Sequence, residues 1–440
     1  MEQGTGKTLT VLDIITERHR RCQVDLVIVL CPLSVLPVWV REIHKHVAVE
    51  HRVVTSWEMF EEYRLRFRRG QEDTLTFVVM NYEHARTRIK KMVRENYDAI
   101  IADEGHKIRN RDSAQSRAAR RLARRSDYRF VLTGTPVGKD EIDLWAQMDF
   151  LDPDILGTFK QFKSRYLRSA GFMGKQHQIK SKTSRKKMLK AIKPFTYRVT
   201  KDQVLKDLPP FVDQELWFDL DKKHRRLYDK LREDSVVELN EGEIVAGLEI
   251  TVAIKLHQMS GGWVKNDDGD TVEVGKSKLK LFEEFITDRP WANKVVIFTM
   301  FKAEMDAICE ILKKQKLGYL VLRGGRKKEK SAGQVEKEFH EDPSKEVLVC
   351  QIQAGAAGLD FTPADMAIYY SLTRSWLDYD QSRARLHRNG QTRPVTYIHL
   401  LGQNTVDETI LSALKEKHDI AKYVSTALKG TTNGKSKIRR

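Results

Sequence analysis

Short runs of consecutive apolar residues recur along the chain, each closed by small or polar residues. Between them lie stretches of ten or more residues with helical spacing. Val24-Asp25-Leu26-Val27-Ile28-Val29-Leu30-Cys31-Pro32, Thr76-Phe77-Val78-Val79-Met80-Asn81-Tyr82-Glu83, Tyr97-Asp98-Ala99-Ile100-Ile101 and Phe130-Val131-Leu132 all have this form. Such runs read as buried strands, and strands alternating with helices predict βαβ units in a parallel sheet. A second series follows at 294–300, 318–322, 347–351 and 366–370. The expected fold is therefore α/β, with two parallel-sheet lobes in tandem.

Breaks in the pattern place the remaining parts. Pro209-Pro210 marks the expected boundary, giving lobes 1–209 and 210–440. Residues 155–200 are rich in Lys, Ser and Gln and predict a helical protrusion, with a mobile tip at Gly171 and Gly174. A second helical protrusion is expected over about 222–262, after an alternating strand at 211–220. Asp268-Gly269 centres a surface turn. The basic end, 429–440, reads as a disordered tail.

In open parallel sheets ligands bind at the carboxyl ends of the strands. Asp103 and Glu104 stand at that end of the run 97–101. One carboxylate there can hold a metal while the other orients or deprotonates a water. The partner motif is Gly4-Thr5-Gly6-Lys7-Thr8, opening the helical spacing of residues 9–15. Its glycines let the backbone curl round phosphate oxygens, and amides at a helix N-terminus bind anions. Lys7 can reach the β- and γ-phosphates, and Thr8 can ligate magnesium beside Asp103. Together these predict a nucleoside-triphosphate site. The glycine that normally stands six residues before the lysine is replaced by Met1, and the strand leading into the loop would lie upstream. The chain is accordingly expected to be a fragment, a mis-called start or one part of a shared site, with weak ATP binding if nothing precedes it.

Charge adds a partner. Lys and Arg outnumber Asp and Glu by 78 to 61, a net +17, which favours a polyanion, nucleic acid first. The arginines at 117, 120, 121, 124, 125 and 129 read as a solvated helix face, with a DNA-facing stripe as the alternative. Cys22, Cys31, Cys309 and Cys350 are scattered without metal or disulfide spacing, which predicts an intracellular setting. No apolar run approaches the roughly 18 residues of a membrane span.

With these motifs in order, the chain resembles superfamily 2 helicases, and within them the Swi/Snf-like DNA translocases. The likeness is carried by the P-loop, the segment from Cys31-Pro32-Leu33-Ser34 to Trp39, Asp103-Glu104-Gly105-His106 and Leu132-Thr133-Gly134-Thr135-Pro136. In the second half it rests on Val295-Val296-Ile297-Phe298-Thr299, on Ala354-Gly355-Ala356-Ala357-Gly358-Leu359-Asp360 and on the frame from Gln381 to Gln391. The resemblance implies two RecA-like lobes, with ATP and Mg2+ in a cleft between them. Asp103 and Glu104 from lobe one, with Gln381, Arg385 and Arg388 from lobe two, would be catalytic. Arg385 and Arg388, three apart on one helical face, would stabilise the transferring phosphoryl group. Gly358 and Asp360 would sit beside the nucleotide. Pro32, Ser34, Asn81, Tyr82, Thr299 and Gly355 would meet the DNA backbone. The expected activity is DNA-dependent ATP hydrolysis driving translocation, on duplex DNA. Three alternatives stay open: a strand-separating helicase, an RNA-acting member, and a catalytically impaired binding module lacking its N-terminus. Protein partners are not predicted.

Overall fold

The computed structural model describes residues 5–67, 74–137, 141–170, 176–240, 246–266, 270–324, 330–355 and 359–427. The chain divides into two compact units, the first running to Lys206 and taking up the chain again from Lys417, and the second spanning Asp207–Glu416, so the expected second lobe of 210–440 gives its end to the first unit. Among the described residues no helix is long and apolar enough to cross a membrane.

The first unit is built on five parallel strands: β1 (Leu26–Cys31), β2 (His51–Val54), β3 (Leu75–Asn81), β4 (Tyr97–Asp103) and β5 (Ser126–Leu132). Their order is β2-β3-β1-β4-β5. The pleat sends alternate residues to opposite faces. Ile28, Leu30, Val78, Met80, Ile100 and Ala102 pack on one side, and Val27, Val29, Phe77, Val79, Ala99 and Ile101 on the other. This two-sided burial explains why the strands read as continuous apolar runs rather than alternating ones. Cys31 lies opposite Asn81, Leu30 opposite Ala102, and Asp103 opposite Leu132. That register aligns the ends of β1, β3, β4 and β5 along one edge. β2, four residues long and only partly buried, was not expected from its pattern.

The protrusion foreseen at 155–200 is not purely helical. Between the helices Phe159–Tyr166 and Lys182–Ile192 lies an antiparallel ribbon of β6 (Leu167–Ala170) and β7 (Gln176–Ile179). Four-residue strands fall below what periodicity can resolve. Its glycine-bearing tip lies outside the described residues, as do the Asp268-Gly269 turn and the tail at 429–440.

The second unit has six parallel strands in the order β12-β13-β11-β14-β15-β8. These are β8 (Phe211–Phe218), β11 (Lys294–Thr299), β12 (Tyr319–Leu322), β13 (Val347–Gln351), β14 (Ala364–Tyr369) and β15 (Val395–Gly402), while β9 (Trp263–Lys265) and β10 (Thr271–Glu273) form a separate ribbon. β15 was unforeseen, because it follows the arginine-rich motif without a helix between them. It pairs with β8 along eight residues. Both units are thus built on parallel α/β sheets, as expected from the two series of apolar runs.

Of the six arginines in and around the helix Ala114–Ala123, Arg117 and Arg121 are exposed, and the other four are engaged by the fold. Arg120 and Arg124 hold the buried Asp149 at 2.9 and 3.0 Å. Arg125 donates to the Val93 carbonyl, and Arg129 to those of Ser126 and Leu151. Carbonyls and a carboxylate from distant segments take up these donors, which local spacing cannot foretell.

Candidate nucleotide site

The helix Lys7–Arg20 opens from Gly6, whose φ of 82° is the left-handed conformation that glycine adopts without strain. A β-carbon there would meet nothing within 4 Å, so conformation rather than space calls for the glycine. The helix buries Val11, Leu12 and Ile15, and its first turn carries no acidic residue. Its leading amides and positive dipole end suit an anion. Lys7 and Thr8 stand half-buried in that first turn. Gly4 lies outside the described residues.

Asp103, the last residue of β4, is 8 % exposed. Its Oδ2 accepts from the Trp39 indole at 2.8 Å, and its Oδ1 accepts from the Glu104 amide at 2.8 Å. Burial pushes the carboxyl up to about 6, and the neighbouring Glu104 carboxylate adds to this. The Trp39 and Glu104 donors and the Lys7 ammonium pull it down without cancelling the rise. The Lys7 ammonium of the P-loop thus acts on the acid at the end of β4. Burial and Asp103 likewise push the Cys31 thiol upward.

Beyond Asp103 the chain turns sharply. Glu104 takes φ 50° and ψ 58°, a conformation costing a non-glycine residue about 1–2 kcal/mol. Its carboxylate lies 3.1 Å from His106 Nδ1. Gly105 is dictated by packing, since a β-carbon would come within 2.3 Å of Val131 Cγ1 on β5. Gln147 braces the neighbouring loop, donating to the carbonyls of Pro136 and Asp143 at 2.6 and 3.0 Å. Thr133 Oγ1 accepts from the Thr135 amide. Trp39, His106 and Gln147 are supporting residues that motif reading did not assign. Trp39 and His106 lie within the quoted motifs without an assigned role, whereas nothing in the sequence pointed to Gln147.

Among the expected DNA-contacting residues of this unit, Asn81 caps the helix Tyr82–Met92 by accepting from the His84 amide at 2.7 Å. Pro32 precedes the turn Leu33–Val35. Ser34 lies in that turn, with its side chain outside the described set. Tyr82 departs from expectation. Its ring is buried, and its hydroxyl donates to the Asp103 carbonyl at 2.6 Å. It shapes the acidic turn instead of facing a strand of DNA.

In the second unit the helix Trp376–Leu386 carries Gln381 and Arg385, both buried. The helix ends before Arg388, because His387 already has non-helical dihedrals (φ −91°, ψ 81°) and Gly390 a φ of 98°. Arg385 and Arg388 therefore do not share a helical face, contrary to the spacing argument. Among the described residues, the Arg388 side chain makes one hydrogen bond, from Nη1 to the Leu359 carbonyl at 3.4 Å. Gln391 clamps the turn, donating to the carbonyls of Ala364, Thr362 and Leu386. Arg383 was missed. It grips both oxygens of Asp213 on β8 and lies against the rings of Tyr397 and Phe211 at 4.1 and 4.9 Å. It fixes the arginine-bearing helix to the sheet.

Two other expectations fail on burial. Thr299 is fully buried at the end of β11, leaving its hydroxyl no access to a phosphate. Gly355 faces inward, where a β-carbon would lie 2.5 Å from Cys350 Sγ, so core packing and not backbone approach demands it. The Asp360 carboxylate accepts from the Thr362 amide at 3.0 Å and so shapes its own loop. Gly358 lies outside the described residues.

The pattern of the SNF2-related domain matches residues 1–259, and that of the helicase conserved C-terminal domain matches residues 277–390. An uncharacterized ATP-dependent helicase of Mycoplasma genitalium is 27 % identical over 425 residues, covering 96 % of this chain and 39 % of that protein. The TATA-binding protein-associated factor MOT1 of Saccharomyces cerevisiae is 24 % identical over 489 residues, 96 % of this chain and 26 % of its own length. The chain thus spans well under half of these relatives. A Sulfolobus solfataricus SWI2/SNF2 ATPase core in complex with dsDNA is 24 % identical, with a TM-score of 0.43, covering 97 % of this chain and 87 % of that one.

Proposed function

The chain belongs to the SNF2-related family of ATP-hydrolysing, helicase-like enzymes, and on that premise we propose that it is a DNA-dependent motor coupling ATP hydrolysis to movement along duplex DNA. The observation that carries this reading is Asp103. It is a buried carboxylate at a strand end, within the field of the P-loop lysine, whose ionised form the protein does not fully compensate. Such a group fits a cation brought in by a ligand.

In this proposal the amides at the start of Lys7–Arg20 and the Lys7 ammonium hold the β- and γ-phosphates. Thr8 and Asp103 hold Mg2+, which supplies neutralisation of the phosphate charge. No group of three or more His, Cys, Asp or Glu among the described residues could hold a metal alone. That suits an ion shared with phosphate oxygens. Glu104, oriented by its strained backbone and by His106, takes the proton of the attacking water. Gln381, Arg385 and Arg388 respond to charge developing on the γ-phosphoryl group. Lys and Arg side chains, with Pro32, Ser34 and Asn81 at the sheet edge, follow phosphates and not bases. Duplex DNA is favoured over single strands because the glycine-third acidic box resembles the duplex-tracking branch.

The test is ATP turnover with and without DNA. Glu104→Gln should bind nucleotide as the parent does and lose DNA-stimulated hydrolysis, while duplex DNA should stimulate the parent more than single-stranded DNA or RNA. Parent-like turnover by Glu104→Gln would remove that residue from its role. Stronger stimulation by single strands or RNA would replace the duplex assignment.

A further inference from the structure

The basic charge of the chain is concentrated in one place. Between Asp154 and Asp202 lie 47 residues with fourteen Lys and Arg and no Asp or Glu. The rest of the chain is near balance, 64 basic against 61 acidic residues. Soluble surfaces ordinarily intersperse the two signs, so a stretch this one-sided calls for an external counter-charge.

The same stretch folds around a small core of its own. Phe162, Leu167, Met188, Leu189 and Ile192 are buried together with Trp145 and Leu144. On the helix Lys182–Ile192, Met188, Leu189 and Ile192 turn inward. Lys182, Lys186 and Lys190 follow one another at four-residue spacing on the exposed side, with Lys187 exposed beside them. Like charges at that spacing destabilise a helix by about 0.2–0.5 kcal/mol a pair. The row of lysines spans roughly 12 Å at the rise of an α-helix, enough to follow several phosphates of a backbone. Just beyond the helix, Phe195 and Tyr197 are 52 % and 74 % exposed, apolar surface that a sugar–phosphate strand can cover.

We infer that this acid-free arm is a second nucleic-acid contact, which holds the phosphate backbone of duplex DNA independently of nucleotide turnover. The inference rests on the DNA-motor reading and adds to it a grip outside the sheet-edge track. Its consequence is a motor that stays on its substrate when the ATP site lets go.

The experiment uses the full chain with Lys182, Lys186, Lys187 and Lys190 all replaced by Gln, and a second variant with all four replaced by Arg. Gln keeps helix propensity close to that of Lys, and none of the four residues belongs to the nucleotide site. The Gln variant should hydrolyse ATP at the parent's basal rate and reach the parent's turnover at saturating DNA. Its duplex affinity should fall at least about tenfold at 0.1 M salt, with a salt slope shallower by about 0.9 for each phosphate that is no longer neutralised. The Arg variant should behave as the parent. Unchanged affinity and slope in the Gln variant would overturn the arm's role, even where DNA stimulates the parent. A weakening confined to RNA duplexes would overturn the DNA assignment. Absence of any DNA stimulation in the parent would strike the motor reading instead, with the binding measurements still deciding the arm.

Discussion

Asp103 in the first unit and Asp407 in the second are both almost fully buried aspartates, yet they are treated in opposite ways. Asp407, 1 % exposed, meets Lys278 Nζ at 3.0 Å, accepts from Ser260 Oγ at 2.9 Å and from the Gly402 amide at 3.2 Å. Despite its burial, its carboxyl is held below the usual range, with Lys278 the largest favourable cause. Asp103 has two neutral donors, a carboxylate as its neighbour and a lysine that does not offset them, and it is pushed up to about 6. The first arrangement is complete within the protein and bolts helices to a sheet. The second is incomplete within the protein, as the proposed cation site requires. The arginines repeat the contrast, Arg383 locked onto Asp213 and Arg388 held by one long hydrogen bond.

The sharpest way to break this comparison is at Arg388. As a charge left for a ligand, it should matter to turnover and hardly to folding. Arg388→Ala should lower DNA-stimulated hydrolysis about 10³–10⁵-fold while nucleotide and DNA binding persist, and Arg388→Lys should not rescue a planar fork. Near-parental turnover in saturating DNA would place Arg388 with the structural charges. Next in size is Lys278→Met, which strands Asp407 without its cation and should cost about 3–5 kcal/mol in urea unfolding. Lys7→Met, the matching removal beside Asp103, should leave unfolding almost unchanged and abolish nucleotide binding. Equal drops in stability in the two variants would erase the distinction.

The smallest effect is in pH. A carboxyl raised to about 6 contributes stability that is full below the ordinary carboxylate value and lost as pH rises through 6. Asp407, shifted downward, contributes above that value and loses its contribution as pH falls through its depressed one. Cation binding needs the ionised Asp103, so affinity for Mg2+-nucleotide should drop about tenfold per pH unit below 6 and be flat above 7. Calorimetric titration from pH 5 to 8 checks it. A flat profile down to pH 5 would mean that Asp103 is not the group that meets the cation.

Much of this molecule was legible in its sequence, and for local reasons. Apolar runs of strand length report a sheet buried on both faces, whatever packs on it. The Gly6 loop reports a backbone conformation, and the carboxylate pair at the end of β4 reports a strand edge, both from residues adjacent in the chain. Spacing failed wherever a role depended on partners far away. Tyr82 and Thr299 were expected to face DNA, but a strand end does not reveal how deep its last side chains lie. Arg385 and Arg388 have helical spacing, yet Gly390 and the clamp of Gln391 stop the helix between them. The rise at Asp103 comes from its burial, and what opposes it includes an indole 64 residues earlier in the chain. Residue type and spacing determined which chemistry the chain can perform. Tertiary structure alone decided which charges are satisfied within the protein and which stay poised for a ligand, because burial and long-range hydrogen bonds set the electrostatics of each group.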